Sequence, residues 1–226
     1  MTLSQDVLKR IPLLSQASPA TLERLSKVMT VRSFARRETV VTKGSKGDAL
    51  LFLLFGQLQA TSVTADGREV GLNLISPGAF FGELAVIDGL PRSASIIALS
   101  HSEVAFLPKE HALELFYQEP SAAAMMFAHL ARSIRQLSDI RTLLGMQNAY
   151  QRVYALLASL TRVSPGGLIQ IETLPTQQEI AIMINTSRET VSRALNELLS
   201  QGIVEKDMSR LIIRQPDKLA EMAGQG

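Results

Sequence analysis

Phe80-Phe81-Gly82-Glu83-Leu84-Ala85-Val86-Ile87-Asp88-Gly89-Leu90-Pro91-Arg92-Ser93-Ala94 is the stretch from which the rest of the chain is read. Gly82 gives backbone freedom where the chain must come close to a ligand. The amides after it open a short helix over 83–87, and a helix N-terminus favours an anion. Asp88-Gly89-Leu90-Pro91 then reverses the chain, since Gly permits positive φ and Pro fixes its own. The return carries Arg92, a planar fork suited to phosphate, and Ser93, a hydroxyl donor, back towards Gly82. A carboxylate at Glu83 repels phosphate, but it fits if it accepts hydrogen bonds from hydroxyls beside the phosphate, as on a ribose. The stretch therefore reads as a pocket for a sugar phosphate with one negative charge. By spacing alone, a surface turn with a solvated Glu and Arg reads equally well.

These residues resemble the phosphate-binding cassette of cyclic-nucleotide-binding domains, whose pattern is Gly-Glu-Leu-Ala, a variable turn, then Arg-Ser/Thr-Ala. Here it stands as Gly82-Glu83-Leu84-Ala85 and Arg92-Ser93-Ala94. The resemblance implies that Arg92 and Ser93 hold a cyclic phosphate and that Glu83 takes the ribose 2′-hydroxyl, with Gly82 and Leu84 beside them.

Around the cassette, short apolar runs at 39–41, 50–55, 58–63, 70–74, 95–99 and 104–107 are separated by Gly, Asp and Pro. Turn signals include Lys43-Gly44, Lys46-Gly47-Asp48, Ala65-Asp66-Gly67 and Ser76-Pro77-Gly78. Strands at this spacing predict an antiparallel roll or sandwich with the cassette inside it. The glycine-punctuated run from Lys43 to Gly56 also resembles the early strands of cyclic-nucleotide-binding domains. Before the roll, the first ~30 residues read as helical. Leu22, Leu25, Val28 and Met29 share one face of a helix entered at Ser18-Pro19.

The 226 residues allow one large domain or two modest ones, and 46% hydrophobic with 19% charged residues is the composition of a globular protein. The absence of cysteine excludes disulfides, thiolate zinc sites and cysteine-bound iron–sulfur clusters. No apolar run approaches the ~20 residues of a membrane span, and the N-terminus lacks a secretory pattern, so no membrane partner and a cytoplasmic protein are expected. A net charge of +2 does not announce a nucleic-acid partner. From Tyr150 onward, eight Lys and Arg balance eight Asp and Glu, so any DNA binding must rest on where charges are placed.

From Pro108 the pattern is helical, with a new helix starting at Glu119-Pro120. Ala123, Phe127, Leu130, Ile134, Leu137, Arg141 and Leu144 follow spacings of 4, 3, 4, 3, 4 and 3, a heptad seam with one charged member. Periodicity leaves open whether that helix lies on its own domain or pairs with a second copy. A further helix over 148–160 ends at Ser164-Pro165-Gly166-Gly167. The linker is expected at 144–148, with Gly145 as a candidate hinge.

Two capping boxes then predict a helix pair, Thr176-Gln177-Gln178-Glu179 and, ten residues later, Thr186-Ser187-Arg188-Glu189. The short turn between them makes the helices cross steeply, as in a helix-turn-helix. The second helix has Val191, Ala194, Leu195, Leu198 and Leu199 on its apolar side. A hairpin over 203–214, turning at Asp207-Met208-Ser209, makes the wing, and the Gly-rich end is expected to fray. Arg188 and Arg193 lie about 140° apart round the helix, with Glu189 between them in angle and Ser192 and Asn196 on the same outer side. Arg can read guanine and Glu can accept from cytosine, yet the charges alone fit a solvated face better.

This segment resembles the helix-turn-helix of the cAMP receptor protein family of bacterial transcription regulators, on Thr176-Gln177-Gln178-Glu179-Ile180 and on the run from Ser187 through Leu195. The resemblance spans about 13–214 in the same domain order. It implies an α+β protein: a jelly-roll-like, antiparallel β-roll sensor over 1–120, a dimerisation helix and hinge over 121–147, and a winged helix-turn-helix over 148–226. It implies no enzyme, a homodimer about the long helix, double-stranded DNA and RNA polymerase as partners, and a cyclic nucleotide effector. Arg188, Glu189 and Arg193 would read a TGTGA-like half-site. A Ser and a Thr of this segment would hold phosphates, and Thr176, Gln178, Ser187, Thr190 and Ser192 are the further DNA-binding candidates. Gln177 replaces the basic residue expected there, which weakens backbone affinity.

In the family, an adjacent Thr-Ser pair on the dimer helix meets the adenine. Here that place holds Leu137-Ser138: the hydroxyl lost at Leu137 counts against cyclic AMP, which still leads as effector on the intact cassette and Ser138, with cyclic di-GMP and cyclic GMP as alternatives. A regulatory nucleotide module of a kinase or channel would share the roll, but has no reason to carry Arg188, Glu189 and Arg193. His101, His111 and His129 are scattered, lack ligand spacing and offer a haem no evident axial ligand. No metal site, Ser-His-Asp set or carboxylate pair is expected. Met125-Met126-Phe127 reads as packing material.

Overall fold

The computed structural model describes residues 3–63 and 69–224, with backbone alone at 62, 63 and 69–73. The expected turn at Ala65-Asp66-Gly67 lies outside the described residues. The chain divides into two compact units, residues 1–132 and 133–226.

The first unit opens with α1 (Gln5–Lys9), a 3-10 turn (Pro12–Leu14) and α2 (Pro19–Val28), so the helical start is broken into short pieces. The strands follow as β1 (Thr30–Phe34), β2 (Thr39–Val41), β3 (Ala49–Phe55), β4 (Leu58–Val63), β5 (Glu69–Ile75) and β6 (Phe80–Phe81). After α3 (Glu83–Asp88) come β7 (Ser95–Ala98), β8 (Ser102–Pro108), α4 (Lys109–Gln118) and α5 (Pro120–Gly145), the helix within which the two units divide. Two four-stranded antiparallel sheets, in the orders β1-β8-β3-β6 and β2-β7-β4-β5, form the expected roll.

The unbroken apolar run of β3 has a physical cause: the strand is buried on both faces. Leu51 and Leu53 pack between the sheets with Leu58, Phe81, Ile96 and Val104. Leu50 and Phe52 face a layer of helices holding Leu8, Leu22, Leu25, Leu115 and Ala122. β6 pairs with β3 at Leu51↔Phe81 and Phe52↔Phe80, so its two rings part company. Phe81 enters the roll, and Phe80 packs against the helical layer.

A carboxylate locks α2 to the junction of α4 and α5. Glu119 accepts from the Ser18 hydroxyl at 2.7 Å, the Ser18 amide at 3.1 Å and the Thr21 hydroxyl, and Ser18 in turn caps α2. The Thr21 bond, then the Ser18 hydroxyl, holds the Glu119 carboxyl below its ordinary value of 4.5 despite burial. A depressed carboxyl contributes stability that is fully present above 4.5 and is lost as pH falls below it through the folded value. Glu119→Gln should therefore cost about 1–3 kcal/mol at neutral pH in urea unfolding. The same variant should also flatten the loss of stability below 4.5 relative to the parent. Equal acid dependence in both proteins would show that this carboxyl does not set it.

The second unit is built on α6 (Ala149–Leu160), β9 (Arg162–Val163), β10 (Ile169–Ile171), α7 (Gln177–Met183), α8 (Arg188–Ser200), β11 (Val204–Asp207), β12 (Arg210–Ile213) and α9 (Pro216–Met222). Its sheet runs β11-β12-β10-β9, so the expected hairpin is half of a larger sheet. After the wing, α9 and its cap residue bury Leu219 and Ala223 in the same core as Val153, Leu157, Ile180, Val191 and Leu198, and the last two residues of the Gly-rich end, where fraying is expected, lie outside the described residues. The second helix of the pair also starts one residue later than expected. Asn185 takes φ 50° and the Thr186 amide donates to Ala181 O, which closes α7 with a left-handed residue. The cap of α8 is consequently Ser187, accepting from the Thr190 amide, and not Thr186. The box at Thr176 and Glu179 forms as expected.

Candidate nucleotide and nucleic-acid sites

In the first unit, β6 delivers the chain to Gly82, whose φ is 78°, and α3 ends at Gly89, φ 75°. Asp88 accepts from the Leu90 amide at 2.9 Å and completes the reversal. The returning Arg92 is received by the loop between β2 and β3: its amide donates to Ser45 O at 2.9 Å, and its carbonyl accepts from the Gly44 amide at 2.8 Å. Gly47 lets this loop lie on α3, since a Cβ there would meet the Ala85 Cβ at 2.2 Å.

The result is a small cavity, about 50 Å³, lined by Glu83, Arg92 and Ser93 on its polar side and by Val41, Phe81 and Ile96 on its apolar side. Gly82 and Leu84 also line it, so the cassette residues expected in one place are in one place. Arg92 is 6% exposed and donates to Gly82 O at 2.8 Å and Ala49 O at 2.7 Å. Those bonds aim the fork and leave three of its five N–H groups. A Cβ on Gly82 would stand 2.2 Å from Nη1 of Arg92, so only glycine leaves room for this packing. Burial pushes the Arg92 guanidinium down from its ordinary value, and Asp48 and Glu83 push it back up.

Of the three scattered histidines, one lies beside Glu83. His129, on α5, packs its ring against Phe80 with centroids 4.7 Å apart and the planes tilted by 57°, and its Nε2 stands 3.8 Å from Oε1 of Glu83. The residues lie far apart in the sequence, and only the β6 register and the course of α5 bring them together. Further along α5, in the second unit, Leu137 is 67% exposed and Ser138 is exposed, as are the seam residues Ile134 and Leu144. In the first unit, Met126 is buried and Phe127 is 70% exposed.

The second unit presents α8 outward. Arg188, Glu189, Arg193 and Asn196 are exposed, Ser192 and Thr190 half-buried. The Glu189 backbone N–H, then the Ser187 hydroxyl, holds the Glu189 carboxyl below its ordinary value, with Arg188 and Arg193 adding to the effect. Beside this face runs an open groove of about 750 Å³ between α8 and the wing, into which Thr176, Gln177, Gln178, Arg188 and Lys206 come together. Leu199, expected on the apolar side, lines this groove, and Met208 at the wing tip is 90% exposed with φ 50°. Two supports escaped the sequence reading. Tyr154 donates to Glu197 at 2.8 Å and ties α8 to α6. Arg152 donates to Met146 O and Ile184 O, clasping the segment before α6 to the end of α7. Among the described residues, no group of His, Asp and Glu could hold a metal ion, and no helix is long and apolar enough to cross a membrane.

Comparison with known proteins matches a domain model to each part of the chain. Residues 31–119 match the cyclic nucleotide-binding domain, and residues 151–222 match the Crp-like helix-turn-helix domain. A cyclic AMP receptor protein of Thermus thermophilus is 31% identical over 216 residues, covering 96% of this chain and 98% of the relative. The crystal structure of the Thermus thermophilus catabolite activator protein is 29% identical over 95% of this chain and all of its own, with a TM-score of 0.55. The cyclic di-GMP responsive global regulator CLP of Xanthomonas campestris shares the fold, with a TM-score of 0.62 over 87% of this chain and 99% of its own at 21% identity.

Proposed function

Because the chain belongs to the cyclic AMP receptor protein family of cyclic-nucleotide-binding transcription regulators, we propose that cyclic AMP is its effector and that a palindromic TGTGA-like DNA site is its target. The observation that carries the ligand reading is the cavity, which sets one guanidinium, one hydroxyl and one carboxylate against an apolar wall. Arg92 and Ser93 take the cyclic phosphate, Glu83 the ribose hydroxyl, and the apolar side the base. Arg188, Glu189 and Arg193 read bases in the major groove, while Thr176, Gln177, Gln178, Ser187, Thr190 and Ser192 lie along the phosphates.

Phe127, Ile134, Leu137 and Leu144 form an exposed apolar stripe at heptad spacing, which suits burial against a second copy in a parallel coiled coil. The dimer sets two copies of α8 about one helical turn of DNA apart, ~34 Å. Nucleotide binding and DNA binding are linked through α5, so each changes the affinity of the other. RNA polymerase is the further partner and the cytoplasm the compartment.

Leu137 bears on which nucleotide is bound. It stands where the family has a hydroxyl towards the adenine, and a missing partner for a buried amino group costs about 1–3 kcal/mol. Titration calorimetry of the full chain with cyclic AMP, cyclic GMP and cyclic di-GMP tests the reading. Cyclic AMP should bind, and Leu137→Thr should tighten it by about tenfold. Binding of cyclic di-GMP alone, the ligand named for the Xanthomonas relative, would move the effector to that nucleotide.

A further inference from the structure

We infer that His129 is a ligand-sensing residue, sharing the Glu83 carboxylate with a hydroxyl of the bound nucleotide and so reporting an occupied pocket to α5; this rests on the cyclic-nucleotide reading above. Glu83 stands where two surfaces meet. It lines the cavity beside Arg92 and Ser93, and it faces Nε2 of His129 at 3.8 Å. The two side chains are 15% and 33% exposed, so solvent screens the pair only in part. The Phe80 ring, 4.7 Å from the imidazole at 57°, limits how the histidine can turn and keeps that nitrogen towards the carboxylate. The other two histidines have no such place: His111 lies beside Glu114 on its own helix, and His101 beside Phe55.

The contact is an ion-pair distance that is too long for a hydrogen bond. A carboxylate offers about four lone-pair sites, so Glu83 can accept from a ligand hydroxyl and from His129 together. A ligand hydroxyl that pins the Glu83 side chain fixes the anchor on which the His129 N–H closes, and α5 carries that histidine. A ligand without the hydroxyl leaves Glu83 unpinned and the helix unaffected. By linkage, whatever the ligand does to the pair, the pair does to ligand affinity. His129 thereby contributes to choosing ribose over deoxyribose, although it need not touch the ligand.

The test is a double-mutant cycle on the full chain. Calorimetry compares the parent, His129→Phe, Glu83→Gln and the double variant, using whichever of cyclic AMP, cyclic GMP and cyclic di-GMP the parent binds and its 2′-deoxy analogue. Phenylalanine keeps a ring on Phe80 and removes the nitrogen, so packing is held while the pair is lost. The expected result is a loss of about fivefold to tenfold for the ribonucleotide in His129→Phe, little change for the deoxy analogue, and no further loss when Glu83→Gln is already present. His129→Gln, which restores a donor, should recover part of the affinity. Equal losses for both ligands, or losses that add fully with Glu83→Gln, would overturn the inference and leave the pocket reading intact. A parent that binds none of the three nucleotides would overturn both.

Discussion

Arg92→Ala should weaken cyclic AMP binding by about tenfold to more than a hundredfold, the loss expected when a charge-assisted contact of ~1.5–3 kcal/mol is removed. The structure adds a second cost. The same guanidinium holds Gly82 O and Ala49 O, so its removal loosens the start of α3 and the start of β3. The backbone bonds from Arg92 to Ser45 and Gly44 do not depend on the side chain, and they should keep the loop in place. Arg92→Lys separates the two effects, because an ammonium keeps the charge but cannot span two carbonyls and a phosphate at once. It should bind with intermediate affinity and melt below the parent. Parent-like binding by a folded Arg92→Ala protein would remove the phosphate anchor from the account, since among the described residues no other arginine lines the cavity.

Glu189→Ala should relax DNA preference at a single base pair in each half-site, at about 1–3 kcal/mol for the base it reads. Ser187 caps α8 through the Thr190 amide at 3.1 Å, and that bond remains when the carboxylate's own bonds to the Glu189 N–H and the Ser187 hydroxyl are lost. Arg193→Ala should likewise relax a different single position. Site selection from a randomised duplex reads both outcomes. A uniform loss of affinity across all sequences would assign Glu189 to general backbone placement and not to base reading.

What could be read from the chain was local chemistry with strong punctuation. Gly82, Asp88-Gly89 and Pro91 mark the cassette, and Thr176 with Glu179 marks the first helix of the pair, because turns and caps are written in neighbouring residues. The errors lie where a longer-range contact decides. Thr186 has the spacing of a cap, but the left-handed Asn185 and the bond to Ala181 O move the helix start to Ser187. The closing helix α9 has no strong signal of its own, and its Leu219 joins a core built around α6. β9 and β10 are too short to show alternation, and they form because β12 offers an edge. At the candidate nucleotide site Gly82, Glu83, Leu84, Arg92 and Ser93 were legible, whereas the apolar wall of Val41 and Ile96, the Arg92 bond to Ala49 and the approach of His129 to Glu83 join segments remote in sequence.

The central claim is that one chain couples a cyclic nucleotide to sequence-specific DNA binding. Fluorescence anisotropy of a palindromic TGTGA–TCACA duplex, titrated with the full chain with and without saturating cyclic AMP at fixed salt, tests it most directly. The account predicts specific binding whose affinity differs between the two titrations by about fivefold or more, with no such difference for a scrambled duplex. Identical curves on both duplexes, with and without nucleotide, would contradict it.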